Sequence, residues 1–270
     1  MRRVSLLPII FLVVLGSYAF TAFIQGPGRI IPITGITHFI DGVILVGVGL
    51  MLLRHAQSKL ETVSTAFHFS IFFLAIGVFQ MLMGVPHLTL FGPADLFPMS
   101  MNWGFIDGHI FLYASLAFFV LVPTKIFFPK LGRIPFWIIA AFGSWITLVN
   151  IFNPGAPVFD YSTGITFLNV HPSVGMLIPI IAIVSWIPAA ILFAVQAFRS
   201  HDPLVRRRGI LFAVGLAIIT FAGPLHDISR SAISFLAADI FTMAGFLIMV
   251  GGVLTEADMD SVSAVNTVAS

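Results

Sequence analysis

The chain contains no cysteine, which excludes disulfides, thiolate clusters and a cysteine nucleophile. Charge is nearly as scarce. Asp, Glu, Lys and Arg make up 9% of its 270 residues, where a soluble domain carries roughly a quarter. Tyrosine occurs three times against 29 phenylalanines, a balance that suits contact with lipid more than with water. The net charge of +2 comes with no basic patch and no reader motif, so no nucleic acid is expected as a partner. No kinase, protease or nucleotide-binding motif occurs either, and Gly26-Pro27-Gly28 reads as a turn rather than a phosphate loop.

What fills the chain is apolar. Ala, Val, Ile, Leu, Met, Phe, Trp and Tyr account for 59% of it. A membrane-spanning helix needs about 20 mostly apolar residues. Eight stretches meet that need: residues 4–24, 36–54, 65–86, 104–124, 134–152, 172–198, 209–226 and 231–254. The fold class is therefore an all-α integral membrane protein of about eight transmembrane helices. Residues 1–254 form one polytopic domain in contact with the lipid bilayer. The first span follows Met1-Arg2-Arg3, and its apolar run from Val4 to Phe23 exceeds the roughly 7–15 residues of a signal peptide's apolar core. It reads as an uncleaved anchor.

Positive charge orients the spans. With the N-terminus inside, Arg2, Arg3, Arg54, Lys59, Lys125, Lys130, Arg133, Arg199, Arg206, Arg207 and Arg208 fall on inner segments. Only Arg29 and Arg230 fall outside. Both termini are then cytoplasmic in a multi-pass protein of the cell membrane. The outer segments 87–103 and 153–171 are rich in Pro, Gly and aromatics and nearly free of cations, so they read as lids over the helix ends. The tail 255–270 carries Glu256, Asp258 and Asp260 among small residues and reads as disordered.

An internal repeat is expected from the third and seventh spans. At an offset of 139 residues, Phe73, Gly84 and His87 fall on Phe212, Gly223 and His226. His38 and His171 open the second and sixth spans. Two four-helix halves, 1–130 and 131–254, would run in the same direction, as a parallel repeat.

The residues able to carry chemistry gather at the outer helix ends. Five of the eight histidines lie there on this topology: His38, His87, His109, His171 and His226. Asp41, Asp107 and Asp227 stand beside three of them, and Asp41 and Asp239 sit furthest into their spans. Ionisable residues inside a membrane are costly, usually face an interior cavity, and are functional candidates by default. His38 and Asp41, three apart, share a helix face.

Imidazoles from several helices at one depth suit a haem iron or a metal ion, with Asp227 joining the histidines as a further ligand. A carboxylate behind such a ring would orient it. Met81, Met83, Met99 and Met101 on the same side would add thioethers suited to copper. The plainer reading is a histidine in the headgroup zone, bonded to a loop carbonyl. His55, His68 and His201, which flank basic loops, are read in that interfacial way. The layout is similar in architecture to the haem A synthase group, but the eighth span has no histidine and the outer loops have no cysteine pair, so no residue role is carried over.

Three functions are expected to compete. The first is a membrane redox protein binding haem b or a transition metal ion (Fe, Cu or Zn). It would use His38 with His109 or His171 with His226, and exchange electrons with a quinol or an external partner. The second is a metal-dependent hydrolase or oxygenase with Asp41 or Asp107 as general base. The third is a sensor or an accessory subunit among other subunits of a membrane complex, its outer histidines answering to protons.

Overall fold

The computed structural model describes residues 32–58, 65–90, 93–228 and 231–268. The first predicted span, with Arg2, Arg3, Arg29, Lys59 and Arg230, lies outside the described residues. Seven α-helices and one hairpin follow in order: α1 Ile33–Ser58, α2 Thr65–Gly84, α3 Leu96–Phe127, α4 Ile134–Phe152, β1 Ala156–Asp160, β2 Ile165–Asn169, α5 Pro172–Arg199, α6 Pro203–Ile228 and α7 Ala232–Val268. A 3-10 turn, Val85–Thr89, caps α2. Long apolar runs become helices because a helix satisfies its own backbone where water is absent. Of the eight spans expected, six are met by described helices long and apolar enough to cross a membrane, namely α1 to α5 and α7.

Prolines mark both the starts and the interiors of these helices. Pro172 sits in the first turn of α5, where its missing N–H costs nothing. Pro123, Pro179 and Pro188 lie inside helices, as membrane helices tolerate. The expected disordered tail is corrected in part, since α7 continues to Val268. No Gly or Pro follows Gly252, so nothing stops the helix there.

Neighbouring helices pack antiparallel, and glycines set how closely. A Cβ on Gly77 would stand 2.7 Å from the Val46 backbone nitrogen of α1. A Cβ on Gly215 would stand 2.7 Å from the Gly245 carbonyl oxygen of α7. The two pairs are built alike. Met81, four residues after Gly77, covers Gly42, and Met249, four residues after Gly245, covers Gly215. Small residues at such crossings let backbones approach where no hydrophobic force drives helices together.

The packing closes a ring. Helix α1 lies on α2, α2 on α3, α3 on α5, α5 on α6, α6 on α7, and α7 returns to α1. Helix α4 stands outside that ring against α3 and α5. Its far side exposes Trp137, Phe142, Trp145 and Phe152. A plug of aromatic rings fills one half of the ring. Phe69 of α2 stacks on Phe212 of α6 with centroids 5.0 Å apart, and Phe212 meets Phe193 of α5 at 4.9 Å. Phe72 contacts Phe119 of α3 and Phe246 of α7.

The hairpin closes the opposite end. Its antiparallel register runs from Ala156 opposite Asn169 to Asp160 opposite Ile165. Gly164 at φ +72° supplies the left-handed residue of the turn. Asp160 organises that turn by accepting from the Ser162 N–H at 2.8 Å, the Ser162 hydroxyl at 2.7 Å and the Thr163 hydroxyl at 2.8 Å. A two-stranded hairpin alone is marginal. This one is seated through Phe159, which packs in a buried cluster with Met83, Leu90, Phe97, Met101 and Phe105.

Candidate functional site

Between the hairpin and the aromatic plug lies a cavity of about 690 Å³. All six ring helices and both strands line it, and α4 contributes nothing. Most of its wall is apolar: Ile76, Phe79, Leu112, Ile178, Ile219 and Phe246 are representative. Three of the five predicted histidines reach it, His38 from α1, His109 from α3 and His226 from α6.

Two of the three rings meet directly. His38 and His226 are stacked, with centroids 6.3 Å apart and planes inclined by 21°. Phe235 of α7 sets its ring edge-on to both, at 6.1 Å and 5.0 Å. Each imidazole has its own polar partner. The Nδ1–H of His38 donates to Oε1 of Gln80 on α2. His226 Nε2 lies 3.1 Å from Oδ1 of Asp239, within ion-pair distance, and meets Thr242 Oγ1 at 3.5 Å. Asp239 is 1% exposed, so this carboxylate is held well below any solvent.

His109 stands across the cavity, 4% exposed. Its Nδ1 lies 2.7 Å from the Phe105 carbonyl oxygen of the preceding turn. A carbonyl only accepts, so Nδ1 carries the hydrogen. Phe105, Phe79 and Tyr113 pack round the ring. Off the cavity, the Tyr113 hydroxyl and the Asn150 amide are buried without a hydrogen-bond partner among the described residues.

The remaining predicted site residues lie elsewhere. His87 is buried in the 3-10 turn, outside the cavity lining, with both ring nitrogens engaged. Its Nδ1–H donates to the Gly84 carbonyl at 3.1 Å, and its Nε2 accepts from the Thr166 hydroxyl at 2.7 Å. Thr166 of β2 also donates its N–H to Thr34 Oγ1 at 3.0 Å. His87 and Thr34 thus clasp the hairpin to the bundle. His171 precedes α5 at its N-terminus, exposed, with Nδ1 2.7 Å from Ser173 Oγ.

The carboxylates chosen from sequence are equally dispersed. Asp107 is exposed, and Asp41, though 1% exposed, does not line the cavity. Asp227 falls in the last turn of α6, and its side chain lies outside the described residues. The expected coupling of His38 with His109 is a shared cavity, and that of His171 with His226 is replaced by His38 with His226. Met83 and Met101 line the cavity, while Met99 is exposed and Met81 covers Gly42. Among the described residues no group of three His, Asp or Glu is placed to hold a metal ion.

Gln80, Trp186 and the role of Asp239 do not stand out from the sequence as site features. Depth was the available signal for Asp239, since it sits a full two turns into an apolar span. Gln80 is the polar break in the run from Phe72 to Met83. Trp186 had no signal beyond its residue type. His68, which the sequence places at the inner interface, is buried between helices, and Lys125 Nζ donates to its Nε2 at 3.2 Å. Neither a protein-family model nor a curated protein matches the chain, so its reading rests on this geometry alone.

Proposed function

We propose that this chain is a polytopic membrane redox protein whose cavity takes a quinol-class electron carrier. One observation carries the reading: His38, His109 and His226, from three helices, reach one mostly apolar cavity. Its volume of about 690 Å³ lies within the range of small-molecule sites, roughly 300–1,000 Å³. Apolar walls suit a ring and the start of a prenyl tail. Oxidation of a quinol releases two electrons and two protons. The His226–Asp239 pair is an ionisable proton acceptor at the wall, of the kind that marks proton relays in membranes. The electrons would pass to an external acceptor at the hairpin end.

A second reading adds a haem b or a transition metal ion held by His38 and His109. It is favoured by the Nε2 atoms of these two rings, which have no hydrogen-bond partner among the described residues. Two such imidazoles would serve as ligands to a haem iron. The hydrolase alternative draws no support from Asp107, which is exposed, or from Asp41, which is off the cavity.

The same proposal includes the fuller topology: eight spans, both termini cytoplasmic, and the hairpin outside the cell membrane. Its support is the clustering of Arg54, Lys125, Lys130, Arg133, Arg199 and Arg206 to Arg208 at or beyond the helix ends opposite the hairpin. A duplicated origin is supported by the like-built glycine crossings of α1 with α2 and α6 with α7.

The test is an absorption spectrum of the detergent-purified chain, oxidised and dithionite-reduced, followed by titration with a short-tailed benzoquinol and its quinone. A Soret band with a reduced α-band establishes the haem version. A featureless spectrum with saturable binding of either carrier leaves the quinol site without haem. If neither carrier binds and no chromophore is present, the redox reading is wrong.

A further inference from the structure

The polar atoms of the cavity discriminate between the two oxidation states of such a carrier. Neutral imidazole has one donor and one acceptor nitrogen, and which is which follows from the partner of the other. The Phe105 carbonyl fixes the hydrogen of His109 on Nδ1, and Gln80 Oε1 fixes that of His38 on Nδ1. Each Nε2 is then a lone pair with no hydrogen-bond partner among the described residues. His109 is 4% exposed, so its lone pair is removed from solvent.

The hydroxyls of the wall add to this. Thr220 gives its hydrogen to the Leu216 carbonyl at 2.7 Å, and Thr242 gives its own to the Ala238 carbonyl at 2.9 Å. Thr166 gives its hydrogen to His87. None of the three has a hydrogen left for a ligand. Donors are nevertheless present. Gln80, whose oxygen serves His38, keeps its amide hydrogens.

A ligand that satisfies such a wall must both donate and accept. A hydroxyl does so, giving its hydrogen to an imidazole Nε2 while accepting from the Gln80 amide. A quinone carbonyl only accepts and would leave both imidazole lone pairs buried and unpaired. Sites built to bond a ligand hydroxyl reject analogues that lack it far more strongly than apolar pockets reject a missing methylene. We infer that the cavity is selective for a dihydroxy aromatic ligand, the reduced quinol rather than the quinone, through His38 Nε2 and His109 Nε2. This rests on the quinol-class reading above and assigns the oxidation state that the site binds.

The test uses the full chain in lipid nanodiscs under anaerobic conditions. Three probes of one skeleton are titrated: a short-tailed benzoquinol, its quinone and its di-O-methyl ether. The quinol is expected to bind at least tenfold more tightly than either of the others. His109→Leu is expected to weaken the quinol about tenfold and leave the quinone unchanged, so that the preference shrinks. Because that variant could fold poorly, His38→Leu serves as the second, and it should likewise weaken the quinol and leave the quinone unchanged. Equal affinity for the three probes in the unaltered protein would overturn the inference and leave the cavity reading standing. No binding by any of them would remove the cavity reading itself.

Discussion

His226 and Asp239 form a pair inside an apolar bundle, with Nε2 and Oδ1 3.1 Å apart and the carboxylate 1% exposed. Two consecutive helices, α6 and α7, are joined by it near the end that the hairpin covers. Removing one partner of a buried pair strands the other, which costs more than removing both. Asp239→Ala is therefore expected to destabilise the protein by roughly 3 kcal/mol, the lower part of the range for a broken buried pair. The double variant Asp239→Leu with His226→Phe should lose less than the single one. Thermal unfolding of both variants in one detergent decides this. A larger loss in the double variant would mean that the pair is not a unit.

The clasp on the hairpin gives a local prediction. Thr166→Val removes the hydroxyl that His87 Nε2 accepts from, and leaves the N–H bond to Thr34 in place. A buried acceptor left unpaired costs about 1–3 kcal/mol. Hydrogen exchange at residues 156–169 should speed up several-fold, while α2 and α3 stay as they were. Uniform acceleration across the chain would show that the effect is global and not a loosened hairpin.

Acid acts on the same hairpin through its turn. The Ser162 hydroxyl and N–H, and then the Thr163 hydroxyl, hold the Asp160 carboxyl below its ordinary value. The three donors bond the charged form. Their contribution is thus present above the usual carboxylate range, near pH 4, and is lost as pH falls through the lowered folded value. Exchange protection of 160–165 should decline on acidification below that range. Asp160→Asn should show weaker protection at neutral pH and no such decline.

Two glycines with the same helical setting should respond oppositely to alanine. A methyl on Gly77 would press into the Val46 backbone at 2.7 Å, whereas a methyl on Gly47 meets nothing within 4 Å. Overpacking of a tight crossing costs about 1–3 kcal/mol. Gly77→Ala should therefore lower the midpoint of unfolding. Gly47→Ala should leave it unchanged or raise it slightly, because alanine is the better helix former by up to about 1 kcal/mol. Matched losses at the two sites would refute close packing at Gly77.

Length and hydropathy made the helices legible. The apolar run 134–152 predicts a span and forms α4 with the same bounds, and 172–198 is within one residue of α5. The lid role of 153–171 could be read from its lack of cations, but its hairpin form could not. Val158, Phe159, Ile165 and Phe167 carry a strand signal too short to separate from an apolar loop. The histidines could be placed at helix ends, yet their partners are set by the order of helices around the ring. His38 of α1 and His226 of α6 come together where α7 packs on both helices and closes the ring. No spacing along the chain encodes that contact. Asp107 and His171 looked equivalent to the cavity residues in sequence and differ from them only in the direction they face.

Ring closure between α1 and α7 also orders events during synthesis. His38 leaves the ribosome early and waits in the bilayer while α2 to α6 are inserted. Its stacking partner and the carboxylate beside that partner arrive with the last two helices. The cavity therefore gains its last wall, Phe235, Thr242 and Phe246, only when α7 docks.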